Sequence, residues 1–242
     1  MKAPDWLRAN PFAHRGLHDA LRPENSLAAI DAAVTAGFPV EIDVQESADH
    51  RAVVFHDWHL QRLTGREAMV SALPAAEIRQ LHLPGSDQKI PLLEEVLEVM
   101  AGRTPLLVEI KKRRRPGAFE PELARILSAY PGPFAIQSFD PFTLGWFRRH
   151  QPGIARGQIS CLFDTDQRAG WKKWFLRNYG LNCLSRPHFL ADDWRRLPAT
   201  APGLLRYFFR LPLLAWTVRS TEDRTAALQW ADNVIFEGFM PG

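Results

Sequence analysis

What most constrains this chain is an alternation. Strand-like and helix-like runs follow one another along nearly the whole sequence. That is the pattern of a parallel sheet whose strands are joined by crossover helices. Strands are expected near 11–15, 40–45, 105–110, 134–138, 155–160, 181–184, 213–218 and 233–237. Eight is the number that a closed α/β barrel of the (β/α)8 (TIM) type needs. The helix over 26–36 has the clearest signature, with Ser26 as N-cap, apolar residues at helical spacing and Gly37 at its end. Leu92–Met100 sets Leu93, Val96, Leu97 and Met100 on one side of a second helix. Leu204–Phe209 reads as part of an outer helix with its aromatics packed on the barrel.

One apolar run breaks the alternation. Val53–His56 follows the second strand too closely for a parallel crossover, which needs a dozen residues or more. A hairpin turning near Asp49-His50 is expected instead, and it would set Asp43 opposite His56. Residues 58–91 then form a long excursion. Its Leu60, Leu63, Leu73, Ile78, Leu81 and Leu83 suffice for a small insertion after the second strand. No linker divides the chain, so residues 1–242 are expected to form a single barrel domain with 58–91 inserted in it.

Chemistry-bearing side chains collect where barrel enzymes keep them, at the C-terminal ends of strands. His14 and Arg15 end the first strand, Glu41 and Asp43 lie on the second, and Glu109 and Lys111 end the third. Residues two apart on a strand share a face. Glu41, Asp43 and Glu109 thus make an oxygen-rich set suited to a hard divalent cation, Mg²⁺ or Ca²⁺. Without a cation three buried carboxylates would repel, and some would have to protonate. His14 and His56 can exchange protons near neutral pH, and Arg15 can grip a phosphate through its planar fork. Together these are the parts of a metal-assisted phosphodiesterase. Glu24 could order the loop through Arg15 or Arg22, and Asn25 suits a turn before the first helix.

The same segments carry a resemblance. His14-Arg15-Gly16, Pro23-Glu24-Asn25-Ser26, Glu41-x-Asp43 and Val53-Val54-Phe55-His56-Asp57 resemble the glycerophosphodiester phosphodiesterase family. So do Ile90–Glu95, Glu109-Ile110-Lys111, Gln137-Ser138-Phe139 and Trp216-Thr217-Val218, from about residue 11 to 241. The resemblance implies a barrel of the phospholipase-C-like phosphodiesterase type. It also implies hydrolysis of glycerophosphodiesters to glycerol 3-phosphate and an alcohol. By position, His14 and His56 would be the acid–base pair, and Glu41, Asp43 and Glu109 the metal ligands. Arg15, Lys111, Trp216, Glu24 and Asn25 would bind substrate. The chain departs from the family pattern at Arg219, at Phe236-Glu237-Gly238 and over residues 161–180. A lysophospholipid phosphodiesterase (lysophospholipase D-like) working at a membrane surface is the nearest alternative. A non-catalytic phosphate-headgroup binder is the next.

Composition narrows the class further. Hydrophobic residues make up 46% of 242, ample for a core. A net charge of +3 is too weak to argue for nucleic acid, and no nucleic-acid module is visible. Cys161 and Cys183 make neither a disulfide framework nor a thiolate metal site. With no apolar leader and no spanning run, a soluble cytoplasmic protein is expected; no oligomeric state follows. Two segments bear on peripheral membrane contact. In the run Lys111–Arg115, Lys112 to Arg115 read first as a solvated loop, and the run reads second as a draw for anionic substrates or an acidic membrane surface. Residues 171–177 read first as a helix packed on the barrel rim and second as an interfacial helix.

Overall fold

The computed structural model describes residues 2–112, 115–163 and 170–241. Its fold class is α/β: eight parallel strands alternating with helices, plus one antiparallel strand, the complement of a (β/α)8 barrel. Two compact units divide the chain, residues 12–134 and residues 2–11 with 135–241.

In the 12–134 unit, β1 (Phe12–His14) leads to α1 (Leu27–Thr35), and β2 (Val40–Glu46) turns into β3 (Ala52–Val54). Ser26 caps α1 by accepting from the Ala29 N–H, as its sequence signature requires. Short helices α2 (Gln61–Thr64) and α3 (Ala75–Ile78) precede α4 (Leu93–Met100), β4 (Leu106–Ile110) and α5 (Phe119–Ser128). Strands β1 and β4 flank β2 in parallel, with His14 level with Glu41 and Asp43 level with Glu109. This register sets Asp43 and Glu109 at one height, with Glu41 two residues before them on β2. Leu60, Ile78 and Leu83 pack with Val53, Phe55 and Ile90 in one apolar cluster, with Leu63, Leu73 and Leu81 against it.

The hairpin exists, but its register differs by one residue. Val44, Gln45 and Glu46 pair with Val54, Val53 and Ala52, and the Phe55 N–H donates to the Asp43 carbonyl. Phe55, not His56, therefore stands level with Asp43. The loop is odd in length, Ala48–His50, closed by Ser47 and Arg51, with His50 left-handed at φ 60°. It is centred on Asp49, so counting from a two-residue turn misplaces the partner by one.

The other unit holds β5 (Phe134–Ser138), α6 (Pro141–His150), β6 (Arg156–Ser160), α7 (Gly170–Arg177) and α8 (Asn182–Ser185). It continues with β7 (Phe189–Asp193), α9 (Thr200–Phe209), β8 (Leu213–Val218), α10 (Thr221–Leu228) and β9 (Asn233–Phe236). Strands β5 to β9 pair in parallel in chain order. The strand expected at 181–184 is corrected: those residues enter α8, and the strand lies at Phe189–Asp193. Asp192 and Asp193 hide it by reading as a polar loop. The fold tolerates Asp192 inside because Arg196 and the Tyr179 hydroxyl donate to it, at 2.7 and 2.9 Å.

Three further expectations fail. Tyr207, Phe208 and Phe209 of α9 are 80%, 68% and 68% exposed, not packed on the barrel. Trp171 and Trp174 of α7 likewise project outward at 66% and 61%. On α9, Ala201 and Leu205 pack against the core that holds Leu190, Leu213 and Val234, while Leu204, Tyr207 and Phe208 are exposed, as are Trp171, Trp174 and Phe175 of α7. Nor is Lys112 solvated: its ammonium is buried against Glu46 at 2.6 Å and Glu120 at 3.4 Å. Arg113 and Arg114 of that basic run lie outside the described residues, as do 164–169 of the 161–180 segment.

His188 gives this unit a pH signature. Its Nδ1 accepts from the Arg156 N–H at 3.1 Å, and burial first, then the Arg156 charge, lowers its pKa to about 4. A depressed histidine adds stability that is complete above its unfolded pKa near 6.5 and lost as pH falls through 4. Asp192, raised by burial to about 7, acts with the opposite sign, so the test is a difference. His188→Asn keeps an acceptor without the titration. From pH 4 to 6.5 its unfolding midpoint in denaturant should rise less than that of the unaltered protein. Parallel slopes would refute this.

Candidate functional site

The loop after β1 builds the site because it is bent hard. Arg15 and Asn25 adopt left-handed backbone at φ 56° and 60°, and Gly16 does so at φ 81°. A Cβ on Gly16 would lie 2.6 Å from the Ala29 carbonyl carbon, so only glycine lets this loop press onto the start of α1. The Asn25 N–H donates to the Arg15 carbonyl at 3.0 Å, closing the loop on itself.

That bend delivers Arg15 to the acidic strands. Its Nε lies 3.2 Å from Asp43 Oδ2, its Nη1 donates to Glu24 at 2.7 Å, and its backbone N–H donates to Glu41 Oε2 at 3.3 Å. Burial opposes the Arg15 charge, but Asp43, Glu24 and Glu41 outweigh it and raise its pKa. Asn25 is more than a turn residue: its amide donates to Asp43 Oδ2 at 3.0 Å while its Oδ1 accepts the Asp43 N–H at 3.2 Å. Lys111 Nζ reaches Asp43 Oδ1 at 3.2 Å and Glu109 Oε1 at 2.9 Å. Burial would lower the Lys111 pKa, yet these carboxylates raise it. Against burial, Lys111 and then Arg15 hold the Asp43 carboxyl far below its usual range.

Glu41 carries the deficit. One oxygen from each of Glu41, Asp43 and Glu109 lies within 4.8 Å of the other two. Arg15 and Lys111 bring two positive charges to these three carboxylates. Glu41 is pushed well above its ordinary pKa, chiefly by burial and then by Asp43 and Glu109. His14 Nε2 stands 4.0 Å from Glu41 Oε2. An all-oxygen donor set short of one compensating charge fits a hard divalent cation, and this cluster could hold one.

His56 is approached from the other side of the same loop. Its Nδ1 is 2.7 Å from Asp57 Oδ1. Arg62 of α2 binds both oxygens of Asp57 and, at 2.8 and 3.1 Å, both oxygens of Glu24. One guanidinium thus ties the acid that holds Arg15 to the acid that orients His56. Burial works against the Asp57 charge, but Arg62 and then His56 lower its pKa. Glu24 does not pair with Arg22, which binds Asp19 instead. Sequence reasoning missed Asp57 and Arg62 as working parts. Asp57 was legible only as the residue after His56, and Arg62 lay in the excursion without any signal.

Nine of the ten site residues expected from sequence fall in the 12–134 unit. Trp216 is on β8 in the other unit. Its ring meets Phe139 edge-on at 5.8 Å, Phe139 meets Phe163 at 5.9 Å, and the buried indole Nε1 has no partner among the described residues.

Comparisons with known proteins place the chain in a family. The profile of the Glycerophosphoryl diester phosphodiesterase family matches residues 14–239. YhdW of Bacillus subtilis (strain 168) is 30% identical over 158 residues, 62% of this chain and 65% of that protein. A glycerophosphodiester phosphodiesterase of Bacillus altitudinis is 33% identical over 128 residues, 50% of this chain and 47% of that protein. The chain thus spans from about half to about two thirds of these relatives. An Oleispira antarctica phosphodiesterase, solved with its product sn-glycerol-3-phosphate, superposes with a TM-score of 0.74 at 25% identity, covering 94% of this chain and 92% of that one. Glycerophosphodiester phosphodiesterase from Thermotoga maritima gives 0.72 at 25% identity, covering 93% and 92%. The chain belongs to the glycerophosphoryl diester phosphodiesterase family.

Proposed function

We propose that this protein hydrolyses glycerophosphodiesters to glycerol 3-phosphate and an alcohol, with a divalent cation, Mg²⁺ or Ca²⁺, held by Glu41, Asp43 and Glu109. The observation that carries this reading is the charge deficit at Glu41 beside two phosphate-competent cations, Arg15 and Lys111, and the His14 imidazole. When bound, the cation would draw charge from the phosphate oxygens. Arg15 and Lys111 share that task from fixed positions, so no reorganisation is needed as charge develops. His14 and His56 divide the proton transfers, one taking a proton from the attacking hydroxyl and the other giving one to the leaving alkoxide. Asp57 keeps His56 in one tautomer, with Nδ1 occupied and Nε2 presented. By its place in the family pattern, Trp216 would meet the glycerol or the leaving group.

A second reading takes lysophospholipids as substrate. A human lysophospholipase D is 35% identical over 101 residues, although these are 36% of this chain and 32% of that protein. Assaying glycerophosphocholine beside a lysophospholipid separates the two.

Release of glycerol 3-phosphate from a panel of glycerophosphodiesters should stop with chelator and return with Mg²⁺ or Ca²⁺. Release that ignores chelation would remove the metal from the proposal. His14→Ala and His56→Ala should each lose about 10²–10⁴-fold in kcat while staying folded. Full activity in either variant ends the acid–base assignment.

Arg62→Ala should cost about tenfold or more in kcat with KM little changed, since it acts through its partners. Arg62 depresses the Asp57 pKa, so its removal lets Asp57 protonate at higher pH. The acidic limb of the activity profile should then move upward. Arg62→Lys should not restore it, because an ammonium cannot fork onto two carboxylates. A variant with a lower kcat and an unmoved acidic limb would leave Arg62 a purely structural role.

A further inference from the structure

We propose that the unit carrying β5 to β9 docks on an anionic phospholipid surface through α7 and the face it shares with the start of α9. The surface is assembled from two independent properties of one stretch.

The first property is charge. From Gly170 to Ser220 the sequence has nine Lys or Arg and two acidic residues, Asp192 and Asp193. Both aspartates are buried and engaged inward, Asp192 by Arg196 and Tyr179, Asp193 by Arg195. No acidic side chain of that stretch therefore reaches solvent. Lys172, Lys173 and Arg177 of α7 form no ion pair among the described residues.

The second property is exposed apolar area in helical register. Trp171, Trp174 and Phe175 occupy i, i+3 and i+4 on α7, at 66%, 61% and 42% exposure. Leu204, Tyr207 and Phe208 repeat that spacing on α9, and no residue of either helix is acidic. A groove of about 570 Å³ joins the two helices, lined by Trp174, Arg177, Arg195 and Arg196 with Thr200 and Pro202. Arg195 and Arg196 of that lining serve Asp193 and Asp192, which leaves Arg177 as the guanidinium suited to a lipid phosphate, with the α7 stripe beside it.

Either property alone has an ordinary explanation. Their coincidence selects the partner. Bare basic surface would suit any polyanion, but a nucleic-acid duplex leaves three adjacent aromatic or aliphatic side chains in water. A bilayer interface takes both, with Trp, Tyr and Phe at headgroup depth and Lys and Arg on the lipid phosphates. None of these residues is among those assigned to catalysis, metal or substrate, so docking can be tested apart from hydrolysis.

Cosedimentation of the full chain with vesicles tests this. Binding to phosphatidylcholine vesicles containing phosphatidylglycerol should be strong at low salt. It should be weak on phosphatidylcholine alone and fall steeply as NaCl is raised, because the Debye length shortens below about 8 Å above physiological ionic strength. Lys172→Glu with Lys173→Glu should reduce partitioning by about tenfold or more. Trp171→Ala with Trp174→Ala should reduce it comparably at unchanged charge. Both pairs should hydrolyse soluble glycerophosphocholine at the rate of the unaltered chain, which separates failure of docking from failure of the catalytic reading. The proposal is overturned if anionic vesicles do not sediment the protein. It is equally overturned if the tryptophan pair leaves binding intact, or if the stripe proves to be a self-association face, with dimers in light scattering that the tryptophan pair abolishes and no vesicle binding.

Discussion

Glu41, Asp43 and Glu109 sit away from water on two adjacent strands, where negative charge is costly unless countercharge reaches it. Much of the 12–134 unit follows from meeting that demand. The bend after β1 turns Arg15 back over β2, and Gly16 permits the bend by pressing on α1. Asn25 satisfies Asp43 from both its backbone and its carboxylate side. Lys111 closes over Asp43 and Glu109 from just past the end of β4. Every one of these partners is close in space to the others because β1, β2 and β4 run in parallel and in register. Even so, the protein's own cations stop one short, and Glu41 bears the shortfall. A structural salt-bridge cluster would gain by closing that gap with another basic residue. A site that must accept a doubly charged ion gains by leaving it open.

The excursion after β3 adds a second layer of control. Its apolar cluster, built on Leu60, Ile78 and Leu83, fixes the short helix α2. Arg62 extends from that helix to Glu24 and Asp57 together. The positions of Arg15 and His56 are therefore coupled through one side chain that shares a carboxylate with each. Such coupling would keep the proposed phosphate grip and the proposed proton-transfer group in fixed relation even though they come from different loops.

Much of this was legible in the sequence, and the reasons differ by residue. The strands announced themselves where apolar runs were bounded by turn residues, and the carboxylates by their i, i+2 spacing on such runs. His14, Arg15 and Glu109 followed from their places at strand ends. The register of the hairpin was not legible, since one left-handed residue, His50, adds a residue to the turn and shifts every partner by one. Strand β7 was hidden because its two aspartates are satisfied by Tyr179, Arg195 and Arg196, partners that only the folded chain supplies. The outward face of α7 and α9 escaped notice for a related reason. Periodicity reports that a helix has an apolar stripe, but not whether that stripe meets the core or the solvent.

The Arg62–Asp57–His56 chain also weighs on the choice between hydrolysis and simple headgroup binding. Binding a phosphate monoanion or dianion calls for donors, and Arg15 and Lys111 provide them. It draws nothing from a histidine whose Nδ1 is fixed by an acid that is itself fixed by an arginine. Holding an imidazole so firmly costs conformational freedom, and placing Asp57 beside it adds negative charge to a site meant to receive an anion. Both costs oppose binding. Under the proposed hydrolysis Nε2 would have to meet a proton in a set direction, and both costs would then serve general acid–base chemistry.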